Sequence, residues 1–119
     1  MANPAKEGPV AIVAGEVRTY GVFPGNAGQG YTDAGSLTLT PTANSYPNAL
    51  SEYFVDGTSD GTFNYSVSYA LGSNAGKVFQ FDADWSNPQV LFDTGNPLTF
   101  GITYDTTNNS FWTTSITGL

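Results

Sequence analysis

The side chains best suited to metal or acid–base chemistry in this sequence are carboxylates, and their spacing is suggestive at two places. Asp56-Gly57-Thr58-Ser59-Asp60-Gly61 offers oxygen ligands at alternate positions, the pattern a hard cation such as calcium takes at the start of an EF-hand loop. Position three is Thr58 rather than Asp or Asn, and Val67 stands where the bidentate Glu belongs, so no EF-hand is encoded. Asp82-Ala83-Asp84 is a second, shorter grouping. Asp56, Asp60, Asp82 and Asp84 are therefore the candidate calcium ligands, set against the simpler reading that each caps a turn beside Gly, Asn or Thr. The same residues with Asp93 and Asp105 could be paired for glycoside hydrolysis, but nearly all stand at strand ends, where turn capping accounts for them better. The chain has no His and no Cys, which removes Ser-His and Cys-His nucleophiles, imidazole or thiolate metal sites, and disulfides. No catalytic residues, no enzyme activity and no cofactor are expected beyond the calcium option.

Aromatic side chains are the other chemical resource. In a strand, alternate residues face opposite sides, so Phe79 and Phe81 share one face, and Phe63 and Tyr65 share another. The adjacent pairs Phe111-Trp112 and Tyr53-Phe54 must split, one ring inward and one outward. Outward rings can stack on sugars or fill a subunit interface. Trp85, Trp112, Tyr53 and Phe111 are accordingly the candidate interface or ligand residues, with core packing as the alternative for both tryptophans.

The surface that surrounds these residues is weakly charged and acidic. Three basic residues against ten acidic ones give a net charge of -7, which repels phosphate backbones and anionic lipid, so no nucleic-acid partner is expected. Charged residues are only 11% of the chain, so Ser, Thr, Asn and Gly must cover most of the exterior. No run approaches the ~20 apolar residues of a spanning helix, and the N-terminus lacks the basic start and unbroken apolar core of a secretion signal. Membrane insertion is not expected.

The elements that must position these groups are strands. With 14 glycines and 7 prolines, helical periodicity is broken in every long window. Strand-like runs lie at 10–14, 16–23, 36–40, 52–56, 62–69, 77–82, 89–93, 98–105 and 110–116. Turn signals separate them at Pro24-Gly25-Asn26, Asp56-Gly57, Asp60-Gly61, Asn74-Ala75-Gly76, Asn87-Pro88 and Asn96-Pro97. Residues 25–35, Gly-rich and without a phosphate-loop Lys, read as a flexible surface loop. Residues 1–15 read as an N-terminal arm and 16–119 as one all-β domain. Segments 52–68 and 101–115 share a pattern: an apolar strand ending in Asp, a polar turn, then an aromatic-led strand. This repeat suggests two units, 16–70 and 76–119, each about the size of a propeller blade. The fold class expected is all-β with short antiparallel strands, either two propeller-blade-like sheets or a small β-sandwich.

Over 52–115 three motifs follow one another: the Asp56-Gly57 to Tyr65 hairpin, "GKVFQFDADWSNP" from Gly76, and "GITYDTTNNSFW" from Gly101. In this order they resemble the propeller-like repeats of secreted bacterial PEP-CTERM (exosortase-sorted) proteins. The resemblance implies a β fold and an exterior life, and it carries no catalytic residues. The terminal sorting segment of that family, with its Pro-Glu-Pro motif and apolar tail, has no counterpart in this sequence.

Two blades cannot close a ring, and open sheet edges are normally covered or paired. The expected function is a non-enzymatic structural or interaction protein that self-assembles as a homo-oligomer or decorates an exterior surface, such as a capsid-decoration component of a virion. The alternative is a β-propeller protein of an extracellular matrix or cell surface, with carbohydrate as ligand.

Overall fold

The computed structural model describes residues 8–13, 16–33, 38–48 and 50–117. Among them are ten strands and no helix. Four form an antiparallel meander: β1 (Val10–Val13), β2 (Glu16–Thr19), β3 (Ala27–Asp33) and β4 (Leu39–Pro47). A second meander holds β5 (Phe54–Ser59), β6 (Asn64–Ser68), β7 (Lys77–Phe81) and β8 (Gln89–Asp93). β9 (Thr99–Asp105) and β10 (Ser110–Ser115) make a separate antiparallel hairpin. The fold is thus all-β, with blade-like four-stranded sheets stacked in the manner of a small sandwich.

Strand alternation builds the layers. Phe79 and Phe81 leave one face of β7 and join Tyr20, Tyr46, Phe54 and Trp85 in the core between the two four-stranded sheets. Tyr65 and Val67 leave the opposite face of β6 and join Val78 and Ile102, with Phe63, Phe92 and Phe111 at the margin, beneath the hairpin. The β5–β8 sheet is therefore the middle of three layers, and every residue of β6 is buried. Asn64, Ser66 and Ser68 tolerate this because each makes a hydrogen bond. Asn64 Nδ2 donates to Ala83 O (3.1 Å), Ser66 Oγ to Asp56 O (2.6 Å), and Ser68 Oγ to Glu52 Oε2.

Four expectations need correction. Within the stretch 25–35 expected to be a loop, Ala27–Asp33 form β3, while residues 34–37 lie outside the described residues. The glycines are there for close approach. A Cβ on Gly28 would overlap the Thr19 carbonyl, and one on Gly30 would overlap the Glu16 carboxylate. The strand expected at 36–40 begins at Leu39 and runs on to Pro47. Asp56-Gly57 is no turn either, since both residues lie inside β5 at a bulge that shifts the register with β6. Finally, the described part of the N-terminal arm is built into the first sheet, with Val10–Val13 paired to β2 and Pro9 O accepting from Tyr20 N–H (2.8 Å). Residues 1–7, 14 and 15 of the arm lie outside the described residues. The second sheet is continuous across 70–76, so its own boundaries, 54 and 93, do not coincide with the joint between the two repeat units.

The hairpin is attached unusually. Along β5, no main-chain ladder joins it to the second sheet. Instead Ile102 N–H donates to Asp56 Oδ2 (2.8 Å) and Tyr104 N–H to Thr58 Oγ1 (3.1 Å). Aromatic contacts then clamp it across the sheet, with Phe111 against Tyr65 (centroids 4.7 Å) and Phe92 (5.7 Å). Replacing Asp56 by alanine removes a charged acceptor and is expected to destabilise the hairpin's docking by about 1–2 kcal/mol. Amide hydrogen exchange at Ile102 checks this: protection should fall there while protection in β6 and β7 changes less.

Candidate functional site

The four candidate calcium ligands are dispersed into separate local structures. Asp56 serves the hairpin joint and also accepts from Gly57 N–H (2.9 Å). Asp60 caps the β5–β6 turn, accepting from Thr62 N–H and Phe63 N–H (both 2.8 Å) and from Tyr65 OH (2.6 Å). Asp82 accepts from Asn87 Nδ2 (2.6 Å), and Asp84 from the main chain and hydroxyl of Ser86. Donation from Ser86 holds the Asp84 carboxyl below its ordinary value, helped by the Arg18 charge. Burial raises the Asp60 carboxyl, but its turn amides and Tyr65 more than offset this and leave it lowered. Among the described residues, no three acidic side chains gather where one ion could bind them.

The candidate aromatic residues divide between core and surface. Trp85 lies in the core against Tyr20 (centroids 5.0 Å) and Phe81 (5.2 Å), only 3% exposed, so as folded it is no ligand platform. It takes a left-handed conformation, φ 63°, which tucks the ring of the 82–88 loop under the first sheet. Phe111 faces inward under the hairpin and Trp112 faces outward, 67% exposed. Tyr53 is half-buried and meets the exposed Phe23 edge-to-face (5.8 Å). Val90, Leu91 and Phe100 are further exposed apolar side chains on β8 and β9.

Two carboxylate networks, one partly and one fully buried, escaped the sequence reading. Glu16 accepts from Thr42 Oγ1 (3.1 Å), Asn44 Nδ2 (3.2 Å), Tyr46 OH (3.2 Å) and Arg18 Nε (3.3 Å). Arg18 also reaches across to Ala83 O, tying the first sheet to the 82–88 loop. Glu52 is 2% exposed and accepts from Ser68 Oγ, Ser73 Oγ (2.7 Å), Asn74 Nδ2 (2.8 Å) and Asn74 N–H (3.1 Å). Lys77 Nζ in turn donates to Asn74 Oδ1 (3.2 Å). In both carboxylates burial pushes the pKa up, and the converging donors overcome it and hold the group below its usual value. Tyr20, buried beside this core, is pushed up to about 12 by desolvation. These networks are satisfied internally and leave no group directed at a ligand. The available signal was the rarity of Glu in so uncharged a chain.

What remains is a surface rather than a cleft, as no ligand-sized pocket opens among the described residues. The two four-stranded sheets and the hairpin have different edges. β4 carries Pro41 and Pro47, residues that blunt an edge by lacking an N–H. β8 follows Pro88 and ends in Asp93. β1 packs against β5. β10, Ser110–Ser115, has neither proline nor charge, and among the described residues its ladder partner lies on one side only.

No known protein-family model, curated protein sequence or solved structure matches the chain. Function must therefore be read from the surface itself.

Proposed function

We propose that this chain is a non-enzymatic structural protein that self-assembles or decorates an exterior surface, of the kind that coats a virion. The observation that carries the reading is the thin outer layer. A two-stranded hairpin lies over a four-stranded sheet, and Val90, Leu91, Phe100 and Trp112 stay exposed around it. Such side chains in a protein with few charges are the usual material of an interface core. The acidic balance favours protein partners over nucleic acid or anionic membrane. Multi-angle light scattering with negative-stain imaging tests the reading: concentration-dependent oligomers or regular particles are expected, and a strict monomer at millimolar concentration counts against self-assembly.

A second reading is carried by the Phe23–Tyr53 pair together with Trp112. Exposed rings on a surface rich in hydroxyl and amide groups suit carbohydrate, and blade-like sheets suit an extracellular matrix or cell-surface protein. Titration with soluble glycans should then raise the melting temperature by mass action, and no shift with any glycan removes this reading.

A further inference from the structure

We infer that β10 is a self-pairing edge, and that a second copy of this chain docks on it antiparallel, across a two-fold axis through Trp112. The inference rests on the assembly reading and specifies the surface it uses. Its first ground is the direction of the main-chain groups. β9 and β10 pair with Tyr104 opposite Phe111 and Ile102 opposite Thr113. Directly opposed residues in an antiparallel ladder turn their N–H and C=O groups either toward one another or both away. Ile102 and Tyr104 N–H turn toward β5, to Asp56 and Thr58. Phe111 and Thr113 must therefore turn theirs outward, to the open edge, while Trp112 spends its own on Thr103.

The second ground is self-complementarity. The outward groups of Phe111 and Thr113 flank Trp112 symmetrically, so two copies related by a two-fold axis exchange reciprocal N–H···O=C bonds, Phe111 of each with Thr113 of the other. Trp112 then lies opposite Trp112 of the second copy in the closely spaced type of pair, on the outer face where it is now 67% exposed. The contact is isologous and uses the same edge on both copies, so the pairing closes as a dimer and does not propagate.

Charge sets the salt dependence of this contact. Each copy carries -7, and of its few cations Arg18 is held by Glu16 and Ala83 and Lys77 by Asn74. Two copies repel over most of their surface; β10 itself carries no charged residue, and the nearest one, Asp105 opposite Ser110, interacts with the Trp112 side chain.

Sedimentation velocity from micromolar to millimolar chain, at low and high salt, tests the inference. A reversible dimer is expected that tightens with salt, as screening removes the repulsion. Thr113→Pro removes an outward donor without touching the β9 ladder and should leave the chain monomeric. Trp112→Ser should weaken the dimer by about tenfold or more. Amide exchange on the wild type needs no variant: Phe111 and Thr113 should gain protection as concentration rises, while Trp112 stays protected throughout. A dimer that persists in a folded Thr113→Pro chain, or protection of Phe111 and Thr113 that ignores concentration, overturns this edge and leaves the assembly reading standing. A wild-type chain monomeric at every concentration and salt overturns both forms of self-association.

Discussion

Replacing Glu52 by alanine is expected to lower the unfolding free energy at neutral pH by about 3 kcal/mol, a large share of the roughly 5–15 kcal/mol typical of a domain. The carboxylate is buried beside the start of β5 and gathers donors from β6 and from the 73–74 turn. Removing it leaves the buried Ser68 hydroxyl without its acceptor and releases the Ser73 and Asn74 donors that pin the 73–74 turn. Acid should mimic the mutation. Because the folded Glu52 carboxyl lies below its ordinary value, its contribution is complete above the unfolded pKa and is lost as pH falls through the folded one. Glu16 has the same sign. The wild-type melting temperature should therefore hold near neutrality and decline below about pH 4.5. The difference between wild type and Glu52→Ala should shrink over the same range. Thermal melts of both proteins from neutral to acid pH check this, and a difference that stays constant would mean Glu52 acts through packing rather than charge.

Phe54→Ala should be more damaging still, by about 3–5 kcal/mol. Phe54 is fully buried and meets Tyr20 (5.5 Å), Phe79 (5.4 Å) and Phe81 (5.5 Å) edge-on, so its ring is where the first sheet and the middle sheet touch. The surrounding rings are held by their own strands and cannot collapse into the space left. Leu71→Ala is the natural comparison. That side chain is 76% exposed, and its removal should change stability by no more than about 0.5 kcal/mol. Urea denaturation of both variants measures the contrast. A Phe54→Ala chain that loses under about 1 kcal/mol would mean that the two sheets are held by something other than this cluster.

Much of the middle and outer layers was legible in the sequence because period-two alternation and turn residues act locally. Phe79 and Phe81, Phe63 and Tyr65, and the Tyr53-Phe54 and Phe111-Trp112 pairs sort onto faces as strand geometry requires. The first sheet was legible only in part. Gly28 and Gly30 belong in β3 because Thr19 and Glu16 press against them, and nothing in 25–35 announces partners nine or more residues away. Asp56-Gly57 has the composition of a turn, yet Asp56 is placed by Ile102, far along the chain. Carboxylate positions were visible in the sequence, but which of them bond to amides and hydroxyls depended on tertiary packing. Trp85 illustrates the same limit: its left-handed backbone in a short loop sends the ring into the core, an outcome no alternation rule covers.

The joint between β5 and β9 has an evolutionary consequence. A main-chain ladder is the same whatever residues it contains, so substitution can rarely loosen it. Here the polar part of the connection rests on one carboxylate and one hydroxyl, Asp56 and Thr58, beside the apolar packing of Ile102 and Phe111. Single-codon changes at those two positions can slacken the outer layer, or shift its grip, while both larger sheets keep their form. The hairpin that presents Trp112 is thus the part of the molecule freest to be retuned as a partner surface changes.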